Sequence, residues 1–401
     1  MAKRKIQKPT RFERMYKVWD YLRKNTDRRH PTSIAKMRKD ENINAYIGDK
    51  ETINRLLKDM ANIMNLEDGG SDYKPEAEWR LYFDDFKKFY GDKERYERDD
   101  SDEDDSYIAN VMRIKNLYYN RTFSEKEVDS IIEGIMATRT LDSKSAQELV
   151  RKVEDNMTTA FYKRTPRHIC KVQEPELADR ELLKDNLAII QKAIDDNVRI
   201  QFRFNGYSYE KKLEPVREES DELSPYYIVA SGGKYYLLAA KEYEGYKPDM
   251  SIWRIDLMTD IEIPGRNDRL HIKGIPRIPK KNVANLPEKW SEDFQLKHLN
   301  MSFDKPVFVT LRIKSEKCED NPKKRVRPGY TFLHDWFGDS FTYIRTETKP
   351  PYDDIVRVEC SPYGMAHWAL QYSELVEVLE PESLREDIKS KIKALNEKYS
   401  L

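Results

Sequence analysis

The sequence predicts a multidomain α+β protein with four parts. They are a winged helix-turn-helix head, a helical connector, a small β-barrel and a ferredoxin-like C-terminal domain. Three observations predict it. Residues 1–62 hold 17 Lys and Arg against 8 Asp and Glu, on segments of helical spacing. Strand-like runs crowd together between Ile200 and Ile263. From Val307 onward the apolar pattern reads close to β-α-β-β-α-β. The predicted boundaries are 1–90 for the head, 91–180 for an acidic loop and the connector, 181–275 for the barrel, and 276–401 for a linker and the last domain.

Composition narrows the function classes. The 401 residues carry 72 Lys and Arg and 72 Asp and Glu, so the formal charge is zero. That zero hides segregation, because the first 62 residues are strongly basic while residues 84–106 hold 11 acids and 5 bases. No run of apolar residues is long enough to span a bilayer, and Met1–Ile6 lacks a signal-peptide core. No membrane partner and a bacterial cytoplasmic, nucleoid-associated location are therefore expected. Cys170, Cys318 and Cys360 lie far apart, and the six histidines form no HExxH pattern. No phosphate loop, nucleophile elbow or dinucleotide fingerprint is present. Neither catalytic residues nor a metal or cofactor is expected, and the protein is read as a non-enzyme.

In the head, Phe12, Met15, Tyr16, Trp19 and Leu22 mark a first helix. Pro31 and Thr32 open a second, with Ile34, Ala35 and Met37 as its apolar face. Asp49 caps a third, whose apolar face is Ile53, Leu56, Leu57, Met60 and Ile63. Gly69-Gly70 marks a turn, and Glu78–Phe83 reads as a strand. Three helices followed by a hairpin place the third helix in the major groove of double-stranded DNA. Its solvent face is predicted to carry Lys50, Thr52, Asn54, Arg55 and Lys58. Arg55 suits guanine and Asn54 adenine, while Lys50 and Lys58 suit phosphates.

Arg95–Ser106 is almost devoid of apolar residues and reads as a solvated loop. Ser124 and Glu127 form a capping box ahead of Val128, Ile131, Ile132, Ile135 and Met136. A second connector helix carries Ala146, Leu149, Val150 and Val153. Leu183, Leu187, Ile190 and Ile194 then stripe a helix that leads into about five strands, with Gly232-Gly233 as a hairpin turn. One helix and about five short strands make a small barrel. In the last domain Val307–Ile313, Phe341–Ile344, Ile355–Cys360 and Leu375–Leu379 are strands. Ser361-Pro362 starts a helix, and Leu384, Ile388, Ile392 and Leu395 stripe a terminal one. Lys323–Arg327 is a tight basic cluster.

These residues carry a family resemblance. Pro225-Tyr226-Tyr227, Tyr235-Tyr236-Leu237-Leu238 and Trp253-Arg254-Ile255-Asp256 resemble the WYL domain. Tyr235 replaces the Trp of the family name, and Leu257 stands where a second Arg is usual. Thr122–Val153 resembles the helical segment that precedes the WYL domain. Val356–Lys398 resembles the WCX extension through His367–Tyr372, Val376–Pro381 and Leu384-Arg385, and Asp335–Gly338 also fits.

The resemblance covers most of the chain. It implies an Sm-like or SH3-like barrel in a homodimeric bacterial transcription regulator. The regulator would bind a palindromic operator, as a repressor, and sense a nucleotide or oligonucleotide effector. Genes of phage defence or DNA damage are its expected targets. Read from the residues, Tyr227, Tyr236 and Trp253 can stack a base, and Arg254 and Lys212 can pair with phosphate. A structural ion pair between Arg254 and Asp256 is the competing reading. The alternative function is a single-stranded nucleic-acid-binding accessory protein of a defence effector.

Overall fold

A computed structural model describes residues 9–67, 73–84, 86, 113–138, 141–163, 180–314, 317–318, 321–325 and 329–399. The acidic run 95–106 lies outside the described residues. The chain divides into two compact units, Met1–Pro175 and Glu176–Leu401. Mixed helices and several sheets give the multidomain α+β character that the sequence predicts.

The first unit opens with α1 (Arg11–Asn25), capped by a reciprocal Thr10–Glu13 box. Next come α2 (Ile34–Lys39), α3 (Asn44–Ile47) and α4 (Lys50–Asn65). The predicted three helices are thus four, because one extra turn, α3, fills the connection before α4. Asp49 caps α4 by accepting from the Thr52 backbone N–H at 2.7 Å. The predicted strand 78–83 shrinks to β1 (Leu81–Tyr82), since a 3-10 turn takes Glu76–Glu78.

β1 pairs antiparallel with β2 (Tyr118–Tyr119), and Thr32 bridges Leu117 just before β2. The connection between α1 and α2 thus meets the chain ahead of β2 through the single residue Thr32, which exchanges backbone hydrogen bonds with Leu117 at 2.7 and 3.0 Å. Val18, Leu22, Met37, Ile47, Leu57 and Phe86 belong to the core beneath these elements. Asn65, at the end of α4, fastens the helix to this ladder. Its Oδ1 accepts from the Arg80 and Leu81 N–H groups, and its Nδ2 donates to Leu81 O. The unit continues in α5 (Glu125–Ala137), with the expected Ser124–Glu127 box, and α6 (Ser143–Met157). These two pack through Val128, Ile132, Val150 and Val153.

The second unit begins with α7 (Arg180–Asp196), packed on a bent sheet ordered β4-β3-β5-β6-β7, with β8 paired to β3. The strands are β3 (Ile200–Tyr207), β4 (Leu213–Pro215), β5 (Asp221–Ser231), β6 (Lys234–Ala240), β7 (Met250–Arg254) and β8 (Met258–Glu262). β5 starts five residues before the predicted Tyr226, because Asp221 already pairs with Phe202. Gly232 and Gly233 make the predicted hairpin turn, both at positive φ (56° and 76°).

A 3-10 turn, Ile255–Leu257, carries the chain from β7 to β8 on the far side of β3, so the sheet curls into a half-barrel. Two buried asparagines hold that turn. Asn186 of α7 donates to Ile255 O and Met258 O, and Asn205 of β3 donates to Leu257 O. Ile190, Phe202, Leu237 and Met258 belong to the core inside the curl.

A connecting stretch with the one-turn α8 (Phe294–Lys297) leads to a four-stranded antiparallel sheet. In order along the sheet it reads β12 (Thr342–Thr346), β13 (Asp354–Cys360), β9 (Val307–Ile313) and β14 (Val376–Glu380). The hairpin β10 (Lys317–Cys318) and β11 (Asn321–Arg325) is inserted after β9, and α9 (Thr331–Phe337) precedes β12. α10 (Pro362–Gln371), capped by Ser361, and α11 (Glu382–Tyr399) complete the unit. Trp368, Phe337, Leu311 and Val356 are buried between the sheet and its helices. The side chains of Lys323–Arg327 lie outside the described residues.

Candidate nucleic-acid interface

α4 is buried along Ile53, Asn54, Leu56, Leu57, Met60, Ala61 and Asn65. Asn54 is fully buried and does not belong to the solvent face assigned to it from sequence. The buried stripe is wider than one apolar row because α4 is packed on two sides. Ile63, expected in the core, is 70% exposed. It follows Arg55 and Asp59 at four-residue steps, so these three form one outward row. Lys50, Thr52 and Arg55 are exposed and Lys58 is half-buried, which leaves four of the five predicted DNA residues at the surface. Arg55 is steadied by Glu51 one turn earlier, at 2.8 Å.

α1 supplies groups that the sequence reading missed. A groove of about 770 Å³ runs between the start of α1 and α4, lined by Arg11, Arg14, Thr52, Arg55, Lys58 and Asp59 among others. Arg11 pairs with Asp59. Arg14 lies against Gly48, where an added Cβ would collide with its Nη1, and its Nε donates to Pro9 O. Arg38 donates to Gly48 O at 3.1 Å. The Thr52 backbone N–H, helped by the Thr52 side chain and the charges of Arg14 and Arg38, holds the Asp49 carboxyl below its usual range. Nothing in composition points to Arg11 or Asp59. The four-residue step from Arg55 to Asp59 was the available signal.

The barrel residues expected to meet an effector do not form one platform. Tyr236 and Arg254 are cross-strand partners. Trp253, one residue away, points to the opposite sheet face, because side chains alternate along a strand. Its ring meets Phe202 and Phe204 edge-on inside the curl, with the Arg217 guanidinium 5.8 Å above it. Tyr227 shares the outer face with Tyr236, but the chain's own connecting stretch covers it. Lys280 Nζ lies 4.1 Å over the Tyr227 ring, Trp290 packs beside it, and the Tyr227 hydroxyl donates to Pro287 O.

Arg254 forms the ion pair with Asp256, whose side chain is almost wholly buried. Burial works against the Arg254 charge, yet Asp256 outweighs it and the guanidinium titrates above its usual value. Burial pushes the Tyr236 hydroxyl up. Lys212 is exposed on the β3–β4 connection and pairs with Glu210 at 2.7 Å. The compact remainder of the expected effector site is therefore Arg254 with Tyr236. Among the described residues no group of His, Cys, Asp and Glu is arranged to hold a metal, and no helix is long and apolar enough to cross a membrane.

The sheet of β12, β13, β9 and β14 with its helices is the part that known families recognise. Residues 305–395 match the WCX domain. This WCX region agrees with the C-terminal part of the resemblance drawn from sequence, and the match stops short of the barrel and the head. Among solved structures, one similar chain is the proteasome accessory factor B/C (PafBC) of Arthrobacter aurescens. It has 15% identity and a TM-score of 0.22, with 72% of this chain and 40% of that one covered. This chain thus spans less than half the length of that relative. A second is described as a CRISPR Cas-related protein, with 13% identity, a TM-score of 0.30 and 74% and 77% coverage. No curated protein matches the sequence.

Proposed function

We propose that this protein is a ligand-responsive transcription regulator of the WYL and WCX type. In this reading α1–α4 with β1 and β2 are a winged helix-turn-helix head, residues 181–275 an Sm-like barrel, and the WCX region a ferredoxin-like extension. The carrying observation is α4. It is fastened at one end by Asp49 and at the other by Asn65, beside a strand ladder, with Lys50, Thr52, Arg55 and Lys58 outward. Arg55 reads a base edge, and the lysines bind phosphates and set orientation. The WCX match supports the family assignment. The protein acts as a homodimer on a palindromic site, as a repressor, with phage-defence or DNA-damage genes as targets and without enzymatic turnover.

The effector is a nucleotide or oligonucleotide whose phosphate competes with Asp256 for Arg254, and the Ile278–Met301 stretch limits how far it extends along the barrel. Selection of duplexes from a random pool tests the reading. A palindrome with half-sites about one helical turn apart, bound less tightly by Arg55→Ala, is the expected result. Binding that depends on salt but not on sequence would sink it.

One observation favours a second reading, a single-stranded nucleic-acid-binding accessory protein. Tyr209, Tyr243 and Tyr246 stand exposed on the connections of the barrel sheet, where bases can stack. Preference for a single-stranded oligonucleotide over its duplex would support it.

A further inference from the structure

The geometry points to a second wall of the DNA site on α1, where Arg11 and Arg14 bind a backbone phosphodiester and Arg11 screens an acid on the DNA-facing helix. The inference rests on the reading of α4 as the DNA-binding helix. The outward row of α4 contains Asp59 one turn after Arg55. A carboxylate there faces the polyanion that the row is to meet, and unscreened it would repel phosphate. Arg11 covers it through an ion pair that α4 alone cannot make.

Across the same groove Arg14 is held by the Pro9 carbonyl and by the close backbone at Gly48. Its Nη1 is buried against Gly48 with no hydrogen-bond partner among the described residues, which fixes the guanidinium at the edge of the groove. Four cations, Arg11, Arg14, Arg55 and Lys58, line the groove with the carboxylate of Asp59, and Glu51 pairs with Arg55 at its edge. A net-positive, open groove with a fixed guanidinium beside a helix is suited to a phosphodiester. The bound class is DNA backbone rather than base, since neither α1 arginine lies on the outward row of α4. Asp49 already occupies the end of α4, so the phosphate belongs at the side of the helix between α1 and α4.

The test uses the full chain and a fluorescent random-sequence 24-base-pair duplex, titrated between roughly 50 and 200 mM salt. Arg14→Gln and Arg11→Gln are expected to weaken binding and to lower the salt slope by about 1 each. Asp59→Asn replaces a half-buried carboxylate by an amide of the same shape, and it is expected to tighten binding roughly two- to five-fold. The double variant Arg11→Gln/Asp59→Asn should recover part of the loss of Arg11→Gln, because the acid no longer needs a screen. Wild-type affinity and slope in both arginine variants, or no tightening in Asp59→Asn, would overturn the inference while Arg55→Ala still weakens binding. If the wild-type chain fails to bind the duplex at 50 mM salt, the reading of α4 itself fails, and the inference with it.

Discussion

Replacing Asn65 by Ala removes the side chain through which α4 is fastened to β1. Three hydrogen bonds go at once, at 2.7, 2.8 and 3.1 Å, and two of them involve the buried backbone of Leu81. Together they are worth about 3 kcal/mol net, and leaving the buried Leu81 backbone without its partner costs about 1–3 kcal/mol more, so the expected loss is about 4–6 kcal/mol. Water can reach the partly exposed Arg80 N–H, which keeps the figure toward the lower end. For the unit Met1–Pro175 such a loss lowers the melting temperature by roughly 8–24 °C.

Amide hydrogen exchange read by mass spectrometry separates this unit from the other. Protection along Ile53–Met60 should fall about 100-fold or more, while β3–β8 stay unchanged. Asn62→Ala is the comparator. It loses one half-exposed hydrogen bond from the Tyr73 hydroxyl, worth about 1 kcal/mol. If Asn65→Ala costs no more than Asn62→Ala, the Asn65 linkage does not hold α4, and the positioning of its cationic face needs another cause.

Arg254→Ala leaves the Asp256 carboxylate, 1% exposed, without its cation. A loss of about 2–4 kcal/mol is expected in the barrel, and Arg254→Ala/Asp256→Asn should recover much of it in chemical denaturation. His298 is buried, stacks on Phe294 and hydrogen-bonds to Ser302 O, and burial lowers its pKa below 6.5. Its stabilising contribution is complete above the unfolded value of 6.5 and is lost as pH falls toward the folded one. Stability of the wild type should therefore drop below that pH by up to about 1.4 kcal/mol per pH unit more than in His298→Gln. Burial pushes the Cys360 thiol up to about 12. It should resist alkylation at pH 8 in the native protein and react once unfolded, as peptide mapping would show.

Much of the fold was legible because its signals are local. Asp49, Ser124 and Ser361 cap their helices as the sequence predicts, and Gly232-Gly233 turns where two positive φ values are needed. The order of strands and helices after Val307 follows the apolar pattern, with a hairpin added. What failed depends on contacts distant in sequence. Asn54 looked like a DNA contact because the helical pattern showed one apolar row, whereas α4 is buried on two sides. Tyr227, Tyr236 and Trp253 read from sequence as residues able to stack a base. Strand alternation and the stretch carrying Lys280 and Trp290 divide them. Arg11 reaches Asp59 across 48 positions, which no spacing rule anticipates.

The central claim is that α4 and its α1 wall meet duplex DNA. Hydrogen exchange of the full chain with and without the selected duplex tests it most directly. The account predicts new protection at Arg11–Met15 and Thr52–Ile63, with little change at Tyr236–Arg254. Protection confined to the barrel, or seen only with a single strand, would contradict it.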